Sequence, residues 1–303
     1  MNTDHAIETH SLTKRYRRRL AVDRLDLQVS KGSLFAFLGH NGAGKTTTIR
    51  MLLNMLTSSS GEAFLLGKPS HKLAARDFET IGYVSENHPL PEWMTVEGLL
   101  RYLAPLYPSW DADLQKRLLE LFRLPDDQKI KHLSRGMRMK VALTGVLSFR
   151  PQLLLMDEPF SGLDPRVRED LVAGLLELGG EADCTIFLSS HDVEEVERLA
   201  NDVGILYEGR LVLTESVESL QSRFRKIDLA LPDGQTQPEH EAPKTWWEVD
   251  SANKRVRFID SAFDPRTTCE AIQNAYPRVT PSIDPMSLRE IYLAVEKQQS
   301  ASA

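Results

Sequence analysis

The stretch GHNGAGKT, residues 39–46, follows the apolar run SLFAFL and leads straight into TTTIRMLLNML. It satisfies G-x-x-x-x-G-K-[ST] in the strand–loop–helix context that this pattern requires. A strand must deliver the chain into a loop whose backbone curls around phosphates. A helix must then start at once, so that its free N–H groups and its dipole face the same anion. Gly39, Gly42 and Gly44 permit the curl, and His40, Asn41, Ala43 and the following Thr47 belong to the same cradle. Lys45 is expected to reach the β and γ oxygens, and Thr46 to offer its hydroxyl to Mg²⁺. A glycine turn before a helix would explain the glycines but not the Lys-Thr pair. The chain is therefore expected to bind a nucleoside triphosphate.

A second stretch, LLLMDEP at residues 153–159, is an apolar strand that ends in two carboxylates. Neighbouring strand side chains point to opposite faces, so Asp157 and Glu158 can do different jobs. Asp157 suits a direct or water-mediated Mg²⁺ role, and Glu158 suits positioning or deprotonating an attacking water. Alone this is an ordinary entry into a loop; beside the phosphate loop it predicts hydrolysis.

Short apolar runs at 33–39, 81–84, 153–157, 185–189 and 203–207 read as buried strands. Helical patterns fall between them at 45–56, 95–106, 111–122, 136–148, 166–178 and 192–200. Such alternation predicts an α/β domain around a largely parallel sheet, ending near residue 220, with a helical subdomain inserted over about 87–150. After residue 220 the sequence mixes a proline-rich loop with short alternating strands and then two modest helices. This predicts a separate α+β domain over 221–303, while the tail QQSASA is expected to fray.

Composition removes several other classes. At 303 residues with 41% apolar and 26% charged residues, the chain matches a soluble globular protein rather than a disordered one. No apolar run is long enough to cross a bilayer, and the N-terminus lacks the apolar core of a signal peptide. Two distant cysteines exclude a disulfide scaffold and fit a reducing cytosol. A net charge of −6 argues against nucleic acid as the main partner, and the cluster KRYRRR at 14–19 reads as a solvated basic loop.

The stretch HLSRGMRMKVAL, residues 132–143, starts a helix at Ser134, with Gly136 allowing close approach to its backbone. An open, positively charged helix start is an anion site in search of an anion.

Taken together these motifs resemble the ATP-binding cassette family, the ATPase subunits of ABC transporters, over about residues 7–215. GHNGAGKT resembles Walker A, LLLMDE resembles Walker B, and LSRGM at 133–137 resembles the family signature. SGLDP at 161–165 resembles the D-loop, and His191 in LSSHDVEEVERL resembles the switch histidine that senses the γ-phosphate. Tyr16 matches the aromatic that stacks on adenine. The resemblance implies a P-loop fold of ABC type, ATP and Mg²⁺ as ligands, and two cassettes packed head to tail as a homodimer or heterodimer. Ser134, Arg135, Gly136 and Met137 of one subunit would then meet the γ-phosphate held by the other. It also implies an integral-membrane permease as partner, placing the protein in the cytoplasm at the inner face of the cell membrane.

Two stretches depart from the family pattern. Arg135 stands where a glycine is usual, with Met137 close behind in place of glutamine, and the guanidinium is expected in solvent rather than on the phosphate. Glu86 in IGYVSE stands where glutamine is usual; it can still ligate Mg²⁺ but adds negative charge beside the triphosphate. The aromatics Trp93, Tyr102, Tyr107 and Trp110 lie on the side of the subdomain that faces a permease in relatives, although packing accounts for most of them. Trp246 and Trp247 read as core of the C-terminal domain. The alternative function is a soluble ABC ATPase without a permease. A single cassette, no long heptad run and the acidic balance disfavour it.

Overall fold

The computed structural model describes residues 4–179, 184–232, 243–252 and 254–302. It divides into two compact units, Met1–Thr214 and Glu215–Ala303. Among the described residues, no helix is long and apolar enough to cross a membrane.

The first unit opens with β1 (His5–Tyr16) and β2 (Arg19–Ser30), an antiparallel hairpin in which Tyr16 faces Arg19. The basic cluster is therefore not a loop: Lys14–Tyr16 end one strand, Arg19 begins the next, and only Arg17–Arg18 turn between them. Neither strand was expected. Register shifts at Thr9/Leu12 and Leu12/Lys14, with Ser11 and Arg24 at positive φ, break the two-residue alternation by which strands are recognised.

Next come β3 (Leu34–Leu38), α1 (Lys45–Leu52), β4 (Ser60–Leu65), β5 (Lys68–Pro69) and β6 (Ile81–Ser85). The helical subdomain follows, with α2 (Val96–Leu103), α3 (Ala112–Phe122) and α4 (Arg135–Leu147). The unit closes with β7 (Leu153–Asp157), α5 (Pro165–Gly179), β8 (Thr185–Ser190), α6 (Val193–Glu197), β9 (Asp202–Tyr207) and β10 (Arg210–Ser216). All five strands expected from apolar runs lie in one six-stranded sheet of order β10-β9-β3-β8-β7-β6. Its pairs β3–β8, β3–β9, β7–β8 and β6–β7 are parallel, so their carboxyl ends share one edge. A second sheet, β2-β1-β4-β5, covers α1 from the other side. Ile7, Val22, Leu25 and Leu27 of that sheet, Ile49 and Leu52 of α1, and Phe35, Phe37 and Phe187 of the parallel sheet form one buried core. Phe187 stacks on Phe35 with ring centroids 5.7 Å apart and 8° between planes.

Side-chain caps start the subdomain helices where the sequence puts Thr95, Asp111 and Ser134: each accepts a hydrogen bond from an N–H in the first turn. Burial of Lys140 in α4 is compensated by Asp170 of α5, 2.6 Å away. Of the four aromatics, Tyr107 stacks on Phe149 at 4.1 Å and the Trp110 indole donates to Gln115, whereas Trp93 and Tyr102 are exposed.

The second unit contains α7 (Val217–Arg223), β11 (Arg225–Ala230), β12 (Trp246–Ala252), β13 (Arg255–Asp260), α8 (Pro265–Ala275), β14 (Pro281–Pro285) and α9 (Leu288–Ser302). Its strands pair as β12-β13-β11-β14. Trp246 is buried and stacks on Phe258 at 4.0 Å, and Trp247 packs edge-on against Phe224. Residues 233–242, within the proline-rich stretch, lie outside the described residues. Where a frayed tail is expected, α9 extends through Ser302, and the Ser300 hydroxyl donates to the Glu296 carbonyl.

Candidate functional site

Register decides where the chemistry gathers. Leu38 pairs with Ser190, Asp157 with Ser189, and Ser85 with Asp157. The residues immediately past these strand ends are Gly39, His191, Glu158 and Glu86, so four distant pieces of sequence meet along one edge.

The phosphate loop bends as its glycines predict. Gly44 caps α1 at φ 116°, and a Cβ there would collide with the carbonyl oxygen of Ala21, so only glycine serves. Lys45 is buried, and its ammonium donates to the carbonyls of Gly39 and His40. The same nitrogen lies 3.0 Å from Glu158 Oε1. That approach makes an ion pair between two well-buried side chains. The other oxygen of Glu158 is 2.7 Å from His191 Nδ1, so this carboxylate bridges the loop lysine and the histidine at the end of β8. Glu158 itself has φ 53°, a left-handed turn that re-aims the chain just past the strand.

Asp157 lies deeper. Its Oδ1 accepts from the Thr46 hydroxyl at 3.0 Å and from Ser189 at 2.8 Å. Burial pushes its carboxyl above the usual range; these two hydrogen bonds oppose the shift and the neighbouring charge of Glu158 adds to it.

A cavity of about 330 Å³ opens above these groups. Of the expected ligand-binding residues, Tyr16, Asn41, Gly42, Gly44, Lys45, Thr46, Thr47, Glu86 and Glu158 line it. Tyr16 is 46% exposed, and Lys14 Nζ lies over its ring, 5.2 Å from the centroid. Gly39, His40 and Ala43 are not on the cavity wall: Ala43 is buried, and His40 turns its ring edge toward Tyr207. Arg19 also lines the cavity and holds the loop by donating to the Gly42 carbonyl at 3.0 Å. Its only signal in the sequence is membership of the basic cluster. Ser189 was likewise missed, inside an apolar strand.

Ser134, Arg135, Gly136 and Met137 do not line this cavity. Ser134 caps α4, accepting from the Met137 N–H at 3.2 Å. Gly136 is buried, and a Cβ there would lie 2.9 Å from Val167 of α5, so the close approach it permits is to this chain's own helix. Arg135 is exposed, and its guanidinium also donates to Glu86 Oε1 at 2.8 Å, a contact the sequence does not signal.

A strand–loop–helix phosphate cradle, a loop threonine bonded to a buried aspartate and a carboxylate poised beside the loop lysine define a P-loop nucleoside triphosphatase. A family model described as ABC transporter matches residues 22–161. The bacitracin transport ATP-binding protein BcrA of Bacillus licheniformis is 34% identical over 230 residues, covering 75% of each chain. The Nod factor export ATP-binding protein I of Cupriavidus metallidurans is 38% identical over 212 residues, 68% of this chain and 69% of that one. Among solved structures, the ATP-binding subunit of an ABC transporter superposes with TM-score 0.65 at 27% identity, covering 72% of this chain and 92% of that one. The chain belongs to the ATP-binding cassette family of transporter ATP-binding subunits, and it is an ATPase.

Proposed function

We propose that this subunit binds Mg-ATP in the cavity between Tyr16 and Glu158, pairs head to tail with a second cassette, and couples hydrolysis to a separate integral-membrane permease. That partner would place it at the cytoplasmic face of the cell membrane. The observation that carries the reading is Glu158: a well-buried carboxylate held between Lys45 and His191, on the wall of a cavity that also holds a phosphate loop. A water between Oε1 and the terminal phosphate would lose its proton to it. His191, 2.7 Å from the other oxygen, fixes the carboxylate's orientation.

Triphosphate oxygens compete with Glu158 for Lys45, which leaves the base free when the phosphates are in place. Tyr16, exposed on the cavity wall, would stack on the adenine. Thr46 and Asp157 fit a magnesium ion, with Glu86 at the cavity wall as a further oxygen ligand; Mg²⁺ is commonly held by one or two carboxylates together with substrate phosphates. The ion would neutralise charge on the β and γ oxygens. The capped start of α4 at Ser134 lies outside this subunit's own cavity, which supports its use on the nucleotide of a partner.

The test is phosphate release by the purified chain with and without Mg²⁺, together with its mass in solution. Magnesium-dependent release and ATP-dependent doubling of the mass are expected. Release without magnesium, or a monomer under saturating Mg-ATP, would refute the reading.

A further inference from the structure

Glu86 and Arg135, which both depart from the family pattern, are joined in one ion pair. They are 49 residues apart in the chain, yet Arg135 Nη2 lies 2.8 Å from Glu86 Oε1. The Ser161 hydroxyl donates to the same oxygen at 3.0 Å. Glu86 stands on the wall between two cavities. One holds Lys45, Thr46 and Glu158; the other, about 630 Å³, holds Arg135, Arg138, His88 and Met139. The backbone fixes the arrangement from both sides. The Glu86 N–H donates to the Asp157 carbonyl at 2.8 Å, and Gly162, at φ +65°, leaves room where a Cβ would lie 2.8 Å from Arg135 Nη1.

A third carboxylate in the same cavity wall as Glu158, with Asp157 directly beneath, is an electrostatic burden for a site that must admit a polyanion. Lys45 is already committed to the phosphate loop and Glu158. We propose that Arg135 is a positioning and charge-neutralising residue for Glu86. It cancels the carboxylate's repulsion of the incoming triphosphate and, with Ser161, holds that side chain against the loop after Glu158. The signature arginine therefore acts on its own subunit's nucleotide pocket, through Glu86, besides any role of the α4 start toward a partner. The inference rests on the ATP-binding reading of the cavity.

The two side chains are 45% and 39% exposed, so solvent screens the interaction and its effect is modest. Removing Arg135's charge while Glu86 remains should weaken ATP binding about fivefold at low salt, less as salt rises. The experiment is calorimetric titration of Mg-ATP into the full chain as wild type, Arg135→Gln, Arg135→Lys, Glu86→Gln and the Arg135→Gln/Glu86→Gln double variant. Melting curves confirm that each is folded. Arg135→Gln should cost about fivefold when Glu86 is present and nothing when position 86 is Gln, and Arg135→Lys should keep most of the affinity. An equal loss from Arg135→Gln in both backgrounds would overturn the proposal, as would no loss in either. If the wild type itself fails to bind Mg-ATP, the functional reading falls instead.

Discussion

Replacing Glu158 with Gln should change three quantities in directions that no simple loss of structure would produce. The substitution keeps the shape and the contact with His191 but removes the charge 3.0 Å from Lys45 Nζ. Both partners are well buried, at 5% and 13% side-chain exposure, so an ammonium left facing only two loop carbonyls loses real stabilisation. One feature lessens the loss: removing the charge relieves Asp157, whose carboxyl it helps to push up. The expected cost without nucleotide is about 1–2 kcal/mol. The same deficit returns as affinity, because triphosphate oxygens no longer compete with a carboxylate for Lys45; at 1.4 kcal/mol per decade, ATP should bind roughly 5- to 30-fold more tightly. Turnover should fall by about 10²- to 10⁴-fold with loss of the base. Melting temperature without nucleotide, calorimetric ATP affinity and phosphate release on one preparation read all three. Unchanged affinity and unchanged melting temperature would refute the account of Lys45 and Glu158 as a competing pair, even if turnover collapsed.

Lys45→Ala should reduce ATP affinity by about 100-fold or more, since it removes the buried cation aimed along the phosphate loop; calorimetry showing wild-type affinity would unseat the assignment of that loop. Ser134→Arg should leave ATP binding by the monomer intact but abolish ATP-dependent dimers, with the lost helix cap costing only about 1 kcal/mol of stability. Normal dimers with a lowered melting temperature would reduce LSRGM to a helix start. Asp157 supplies a pH test. Its folded-state pKa is raised, so its contribution to stability is fully present below the unfolded carboxylate value near 3.8 and is lost as pH rises through the folded value. Asp157→Asn should therefore melt higher than wild type at pH 7, with the difference shrinking toward pH 4. A difference independent of pH would argue against burial as the cause.

How much of the site can be read from the chain alone differs motif by motif. Gly44, Lys45 and Thr46 announce themselves because phosphate cradling needs those residue types at fixed local spacing, and the strand before and helix after are each visible as a short pattern. Asp157 and Glu158 are legible for the same reason. The hairpin of β1 and β2 was not, since bulges at Ser11 and Arg24 disrupt the alternation; Arg19, which holds the phosphate loop at Gly42, was lost with it.

The parallel sheet, the phosphate loop, the helix starts and the family motifs are legible along the chain, because each depends on residues within a few positions of one another. Which groups touch depends instead on how the strands are assembled. The strand register set Glu158 between Lys45 and His191. Val167 came to fill the space beside Gly136, and two of the departures from the family pattern became one ion pair across 49 residues. Such contacts have no local signature. They exist because the carboxyl ends of parallel strands converge on one edge, where distant segments share the same few ångströms.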